Sequence, residues 1–180
     1  MSQDNRLILV DADVLSHFMA SGNILFLPQI FKNKKVVLTI VADEIRRHPK
    51  FRGPINMLIQ SGNLAEIAMP TAMDIVREFA SLRKSGKGAG ESACMAVARF
   101  DKNIIASNNF RDVKSYCELH GITYLSTMDF LYEAYCSKVM TLAEIDFMIY
   151  TLITMKTPAR IPCTCLEEYC VRNGKAFPMK

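Results

Sequence analysis

Short apolar runs alternate along the chain with longer segments in which apolar residues recur every three or four positions. The short runs fall at residues 7–10, 36–41, 103–107 and 122–125, the length of buried strands. Between and after them the spacing predicts helices over 42–47, 54–60, 71–83, 91–100, 127–135 and 141–154. Such alternation buries both faces of a sheet, so the pattern predicts an α/β fold: a three-layer α/β/α sandwich around a mainly parallel sheet. A fifth run, 64–68, is compatible with strand, helix or loop.

Capping residues sharpen some boundaries. Thr71 with Asp74 three residues later makes a near capping box, and Ser126 or Thr127 is placed to cap the helix that follows. From Pro158 onward the pattern fades. Pro158, Pro162, Pro178 and Gly174, interspersed with Cys163, Cys165 and Cys170, predict an irregular tail. The expected organisation is a catalytic unit over 1–140, with a helix and tail over 141–180 packed on the same domain.

A chain of 180 residues, half of them hydrophobic, can bury a core without disulfides. The six cysteines, three of them (Cys94, Cys117, Cys136) in helical and partly buried segments, are therefore expected as free thiols. Cys163-Thr164-Cys165 fits no common zinc spacing. No apolar run approaches the roughly 20 residues of a spanning helix. Residues 1–5 are polar and the first apolar run ends at an aspartate, so no secretory leader is expected and a cytoplasmic location is. The net charge of +4 is compatible with a phosphate-bearing partner. Basic residues near the acidic positions, Arg46, Arg47 and Lys87, are candidates for guiding phosphate and equally for a solvated face.

The chemistry concentrates where elements change. Asp11 and Asp13 leave the first strand. Glu44 follows the second strand, beside Asp43, and Glu91 opens a helix after the glycine-dense Gly86-Lys87-Gly88-Ala89-Gly90. Asp112 follows the strand that ends in Ser107-Asn108-Asn109. A first-turn acid also serves the helix dipole, so Glu91 and Asp112 each have a purely structural role open to them. The glycines imply that the backbone approaches something closely. Two bare carboxylates about 4 Å apart repel by roughly 4 kcal/mol at an effective dielectric of 20, so a pocket of them needs a cation or shared protons. Oxygen donors without thiolate or imidazole select Mg²⁺ or Mn²⁺, and such an ion points to phosphodiester hydrolysis. His17, His48 and His120 have no matched nucleophile.

The sequence resembles the PIN domain family, in particular the VapC-like ribonuclease toxins of bacterial toxin–antitoxin pairs. The resemblance rests on Leu9-Val10-Asp11-Ala12-Asp13-Val14-Leu15, Val41-Ala42-Asp43-Glu44-Ile45, Gly90-Glu91-Ser92-Ala93-Cys94 and Ser107-Asn108-Asn109-Phe110-Arg111-Asp112-Val113, in that order across about residues 6–137. It implies that Asp11, Glu44, Glu91 and Asp112 bind metal and are catalytic, with Asp13, Ser107 and Asn109 supporting them. It further implies an RNA substrate, an antitoxin protein as partner and a homodimer. Many relatives carry an aspartate directly after the fourth strand, where this chain has Asn108 and Asn109. That departure leaves open a PIN-like module that binds nucleic acid or a partner without catalysis. Asp11-Ala12-Asp13 also satisfies the opening of haloacid-dehalogenase-like phosphatases, but no later aspartate pair completes that set.

Overall fold

In the computed structural model, which describes residues 5–156 and 159–177, five strands form one parallel sheet in the order β3-β2-β1-β4-β5. The strands are β1 (Ile8–Val10), β2 (Lys35–Leu38), β3 (Ala65–Ile67), β4 (Ile104–Ala106) and β5 (Tyr124–Leu125). The run at 64–68 is thus a strand, pairing β2 through Val36 and Ala65. Among the described residues nine α-helices complete a three-layer α/β/α sandwich: α1 (Ala12–Ala20), α2 (Thr39–Arg46), α3 (Pro49–Gln60), α4 (Met73–Lys84), α5 (Ala89–Asp101), α6 (Val113–His120), α7 (Thr127–Cys136), α8 (Leu142–Thr154) and α9 (Leu166–Arg172).

The core explains the register. Every residue of β1, β2 and β4 is buried, as expected of central parallel strands covered on both faces. The sole charge among them, Lys35 in β2, donates to the backbone carbonyls of Pro28 and Phe31. Burial lowers its pKa to about 8. Strand order reverses at β1: β2 and β3 lie on one side of it, β4 and β5 on the other. In open parallel sheets the crevice beyond the carboxyl ends at such a reversal is where ligands bind. Asp11 and Ser107 are the first residues beyond β1 and β4.

Several elements depart from the sequence expectation. The apolar run 36–41 stops being strand at Leu38, and Thr39, Ile40 and Val41 already form the first turn of α2. Buried β-branched residues serve a packed helix as well as a strand, so the run alone did not fix the boundary. The helix expected from Pro54 begins at Pro49, a favourable first helical position, and carries Pro54 inside it. Thr71 does not cap α4; Ala72 occupies that position with no side-chain cap, and Asp74 remains as a first-turn acid. Cys136 is exposed rather than partly buried.

The C-terminal segment departs most. Within 159–177 the chain forms α9, which packs on α7 and α8 through buried Leu166, Tyr169 and Cys170, so that stretch is not irregular. Pro158 and Pro178 lie outside the described residues. The helix is seated by a polar node: the Asp129 carboxylate accepts from Tyr169 Oη (2.6 Å), Lys175 Nζ (2.8 Å) and the backbone and hydroxyl of Ser126. Ser126 in turn caps α7 in a complete capping box, and Thr141 with Glu144 does the same for α8. Among the described residues no helix is long and apolar enough to cross a membrane.

Candidate active site

The end of β1 fixes the first carboxylate. Asp11 has extended backbone geometry at the N-cap of α1, and its Oδ1 accepts from the Ala12 amide at 2.8 Å. It is 8% exposed. Burial, reinforced by the neighbouring Asp13 charge, raises its pKa to about 7. A capping aspartate in contact with water would sit far lower, so this carboxylate is short of counter-charge.

Asp13, one residue into the helix, is better provided. Its Oδ2 accepts from the Asn108 amide at 2.7 Å and the Ser107 hydroxyl at 3.2 Å, and its Oδ1 from the Val14 amide at 2.6 Å. Burial still raises its pKa. These bonds join the exits of β1 and β4. They also shape the turn that follows, in which Ser107 Oγ accepts from the Asn109 amide and Asn109 Oδ1 accepts from the Asp112 amide.

Glu44 reaches the same place by another route. Because α2 starts at Thr39, Glu44 sits in its second turn rather than its first, on an exposed face. The close approach is made by Gly90 of α5. A methyl group there would lie 2.9 Å from Val41 Cγ2, 3.1 Å from Glu44 Oε2 and 3.7 Å from Asp11 Oδ1. Gly90 therefore keeps clear the space between the Asp11 and Glu44 carboxylates. The other glycines of the loop do different work: Gly86 has a left-handed φ of 88° that ends α4, and Gly88 is the N-cap of α5.

Glu91 stands in the first turn of α5, and its Oε1 accepts from Asn109 Nδ2 at 3.2 Å. Burial, then the Asp112 charge, raises its pKa, against the opposing pull of Lys87 and the Gly88 amide. Asp11, Asp13, Glu44 and Glu91 line one open cleft of about 350 Å³ together with Ser16, Gly88 and Asn109. Ser16 was not singled out from the sequence. Its place three residues after Asp13 on α1, hence on the same helix face, was the available signal.

The remaining candidates lie at or beyond the rim. Asp112 pairs with Lys87 Nζ at 3.0 Å, which holds its carboxyl below the usual range. Arg46 is committed elsewhere: it grips both oxygens of Glu66 and also bonds Asp43 and Asn56, tying α2 to α3 and β3. Arg47 is exposed at the end of α2. His17, neutral because burial lowers its pKa to about 4, bonds Thr127 Oγ1 through Nδ1 at 2.9 Å.

Two observations bear on a bound cation. Among the described residues no three or more His, Cys, Asp or Glu side chains stand close enough together to enclose an ion. Yet the space kept by Gly90 is flanked by two carboxylates. Mg²⁺ retains several waters and is commonly held by one or two carboxylates plus substrate phosphate, so this oxygen-only pair fits such an ion without a protein cage.

No family model and no curated protein matches the chain. Among solved structures it is similar to VapBC2 from Rickettsia felis, crystallised bound to a DNA fragment from its promoter, with TM-score 0.48 and 12% identity. It is also similar to VapBC-1 from nontypeable Haemophilus influenzae, with TM-score 0.49 and 12% identity. Each match covers 67% of this chain and 98% of the other.

Proposed function

We propose that this protein is a PIN-like ribonuclease that hydrolyses RNA phosphodiester bonds with Mg²⁺ or Mn²⁺ and acts as the toxin of a toxin–antitoxin pair. The observation that carries the reading is Asp11: a buried carboxylate supported by the Ala12 amide and the Ser107 hydroxyl but by no cation, its pKa raised to about 7, facing Glu44 across a space that Gly90 keeps open. An unpaired buried carboxylate is costly, and a protein that retains one at a cleft uses it for something other than stability.

Asp11 and Glu44 would hold the ion. When bound, it would supply charge for a phosphate oxygen and acidify a coordinated water. Glu91, raised in pKa and oriented by Asn109, is suited to take a proton from attacking water. Asp13 would act through position, fixing the Ser107–Asn109 turn that carries Asn109 to Glu91. Asp112, with Lys87 bound to it, would enter the ion's surroundings only after that pair opens. Exposed Phe147 and Tyr150, one turn apart on α8, offer an apolar face for an antitoxin segment or a second copy.

Incubation of single-stranded RNA with Mn²⁺ tests the proposal. Cleavage that EDTA stops, and that Asp11→Asn and Glu91→Gln abolish in folded protein, supports it; normal cleavage by either variant refutes the assignment. Asn108 and Asn109, standing directly after the fourth strand in place of an acid, favour a second reading, a module that binds nucleic acid or a partner without cutting RNA. Metal-independent RNA binding with no turnover would establish that one.

A further inference from the structure

The acidic cleft does not end at Asn109. Asp13, Ser16 and Asn109 also form one wall of a second groove, of about 430 Å³, whose far wall is Met155, Ala159 and Arg160. That wall comes from the C-terminal extension and is fixed in place. The Ala159 amide donates to the Leu152 carbonyl at the end of α8 (2.9 Å), and Asn108 Nδ2 reaches the Arg160 carbonyl at 3.5 Å. Asn108 is itself buried and held by the Thr127 amide on its Oδ1 at 2.8 Å.

The chemistry of the groove differs from that of the cleft. Met155 and Ala159 give it apolar flanks, the His17 ring forms part of it, and Asn108 and Asn109, whose amides are bonded within the protein, border it. Arg160 is exposed at its edge and, among the described residues, its guanidinium has no ion-pair partner. Of the other cations near the acids, Lys87 is bound to Asp112 and Arg46 to Glu66, while Arg111 is exposed beside Asp112 and Arg47 at the end of α2; neither lines this groove. A polyanion brought to four carboxylates needs compensating charge close by, and Arg160, exposed at the edge of the adjoining groove, can supply it.

We propose that this groove seats an unpaired nucleotide of a single-stranded nucleic acid beside the phosphate at the acidic cleft, with Arg160 as a positioning residue on the neighbouring backbone phosphate. The apolar face of a flat base suits the apolar flanks and the imidazole of this groove, whereas a paired base inside a duplex cannot enter. The inference rests on the nuclease reading for the placement of the reacting phosphate, but binding alone tests it. Affinity is measured in EDTA, by fluorescence anisotropy, for a labelled single-stranded RNA, the DNA of the same sequence, and an RNA duplex.

Arg160→Ala is expected to weaken single-strand binding about tenfold and to reduce the slope of log affinity against log salt by about one, as for loss of one phosphate contact. Arg160→Lys should recover part of both, and Ala159→Trp, which fills the groove, should weaken binding without changing that slope. The Mn²⁺-induced rise in melting temperature should be unaltered in all three, which separates loss of the groove from loss of the fold or of the cleft. Binding of the RNA alone, or of RNA and DNA alike, supports the proposal and identifies the sugar read. Wild-type affinity and slope in Arg160→Ala, equal affinity for the duplex, or no single-strand binding by the wild type would overturn it. Turnover scored separately shows whether the nuclease reading fails independently.

Discussion

Asp11 and Asp129 are both carboxylates at the start of a helix, and the protein treats them in opposite ways. Burial pushes each toward the neutral form. At Asp129 the hydrogen bonds from Lys175, Tyr169 and Ser126 more than offset burial and hold the carboxyl below its usual range. At Asp11 one backbone amide, the Ser107 hydroxyl and no cation leave the pKa near 7. Asp129 is saturated by its own chain; Asp11 is left with capacity to bind. A buried acid that organises the fold is thereby distinguished from one kept for a ligand, because the first has already been given the counter-charge that the second still lacks.

The comparison breaks most sharply in Asp11→Asn. Asparagine keeps an oxygen for the Ala12 amide but removes the charge, so cleavage of RNA should fall on the order of 10³-fold, given that a metal's charge stabilisation is worth several kcal/mol. The urea midpoint should correspond to a change within about 1 kcal/mol. A large loss of stability would instead make Asp11 a structural cap. Asp129→Ala should do the converse. Losing the cap and its charge-assisted bonds should cost about 2–4 kcal/mol in urea unfolding, with cleavage by the folded fraction retained.

Gly90→Ala probes the space between Asp11 and Glu44 directly. The added methyl would overlap Val41, at a cost of about 1–3 kcal/mol for overpacking, partly offset by up to about 1 kcal/mol of helix propensity. The more specific outcome is loss of the Mn²⁺-dependent rise in melting temperature. An undiminished rise would place the ion elsewhere. A pH-dependent test concerns His17, whose pKa is lowered to about 4 by burial. Between that value and the unfolded value near 6.5, the unfolded chain binds the extra proton, so the His17 contribution to stability should fall as pH drops from about 6.5 toward 4, opposing the rise that Asp11, with its raised pKa, contributes there. His17→Gln should remove that fall from the pH profile in thermal melts, whereas Asp129 contributes its stability above the unfolded carboxylate range and loses it only at lower pH.

Much of this contrast is invisible in one dimension. Asp11 could be singled out because an apolar strand ending in a carboxylate is a local event. The capping boxes Ser126–Asp129 and Thr141–Glu144 are equally local, fixed by residues three apart. Asp129's further partners, Tyr169 and Lys175, lie 40 and 46 positions away, so nothing in the sequence marked it as more than a cap. The same limit applies to the basic residues: Arg46 and Lys87 stand close to the acids in sequence, yet Glu66 and Asp112 claim them in space. Helix boundaries failed where burial overrode pattern, as at Thr39–Val41, and where proline and cysteine content obscured α9.

What the amino-acid order settled by itself was the succession of short buried strands and amphipathic helices, the Ser126 cap built from neighbouring residues, and the delivery of Asp11 and Glu91 to element ends. Those features depend on interactions within a few residues. Which acids share a cleft, which are neutralised by distant cations, and that Arg160 returns to the groove beside that cleft were decided by the tertiary structure. Charge pairing and burial depend on separation in space, and in a parallel sheet whose order reverses at β1 that separation bears little relation to distance along the chain.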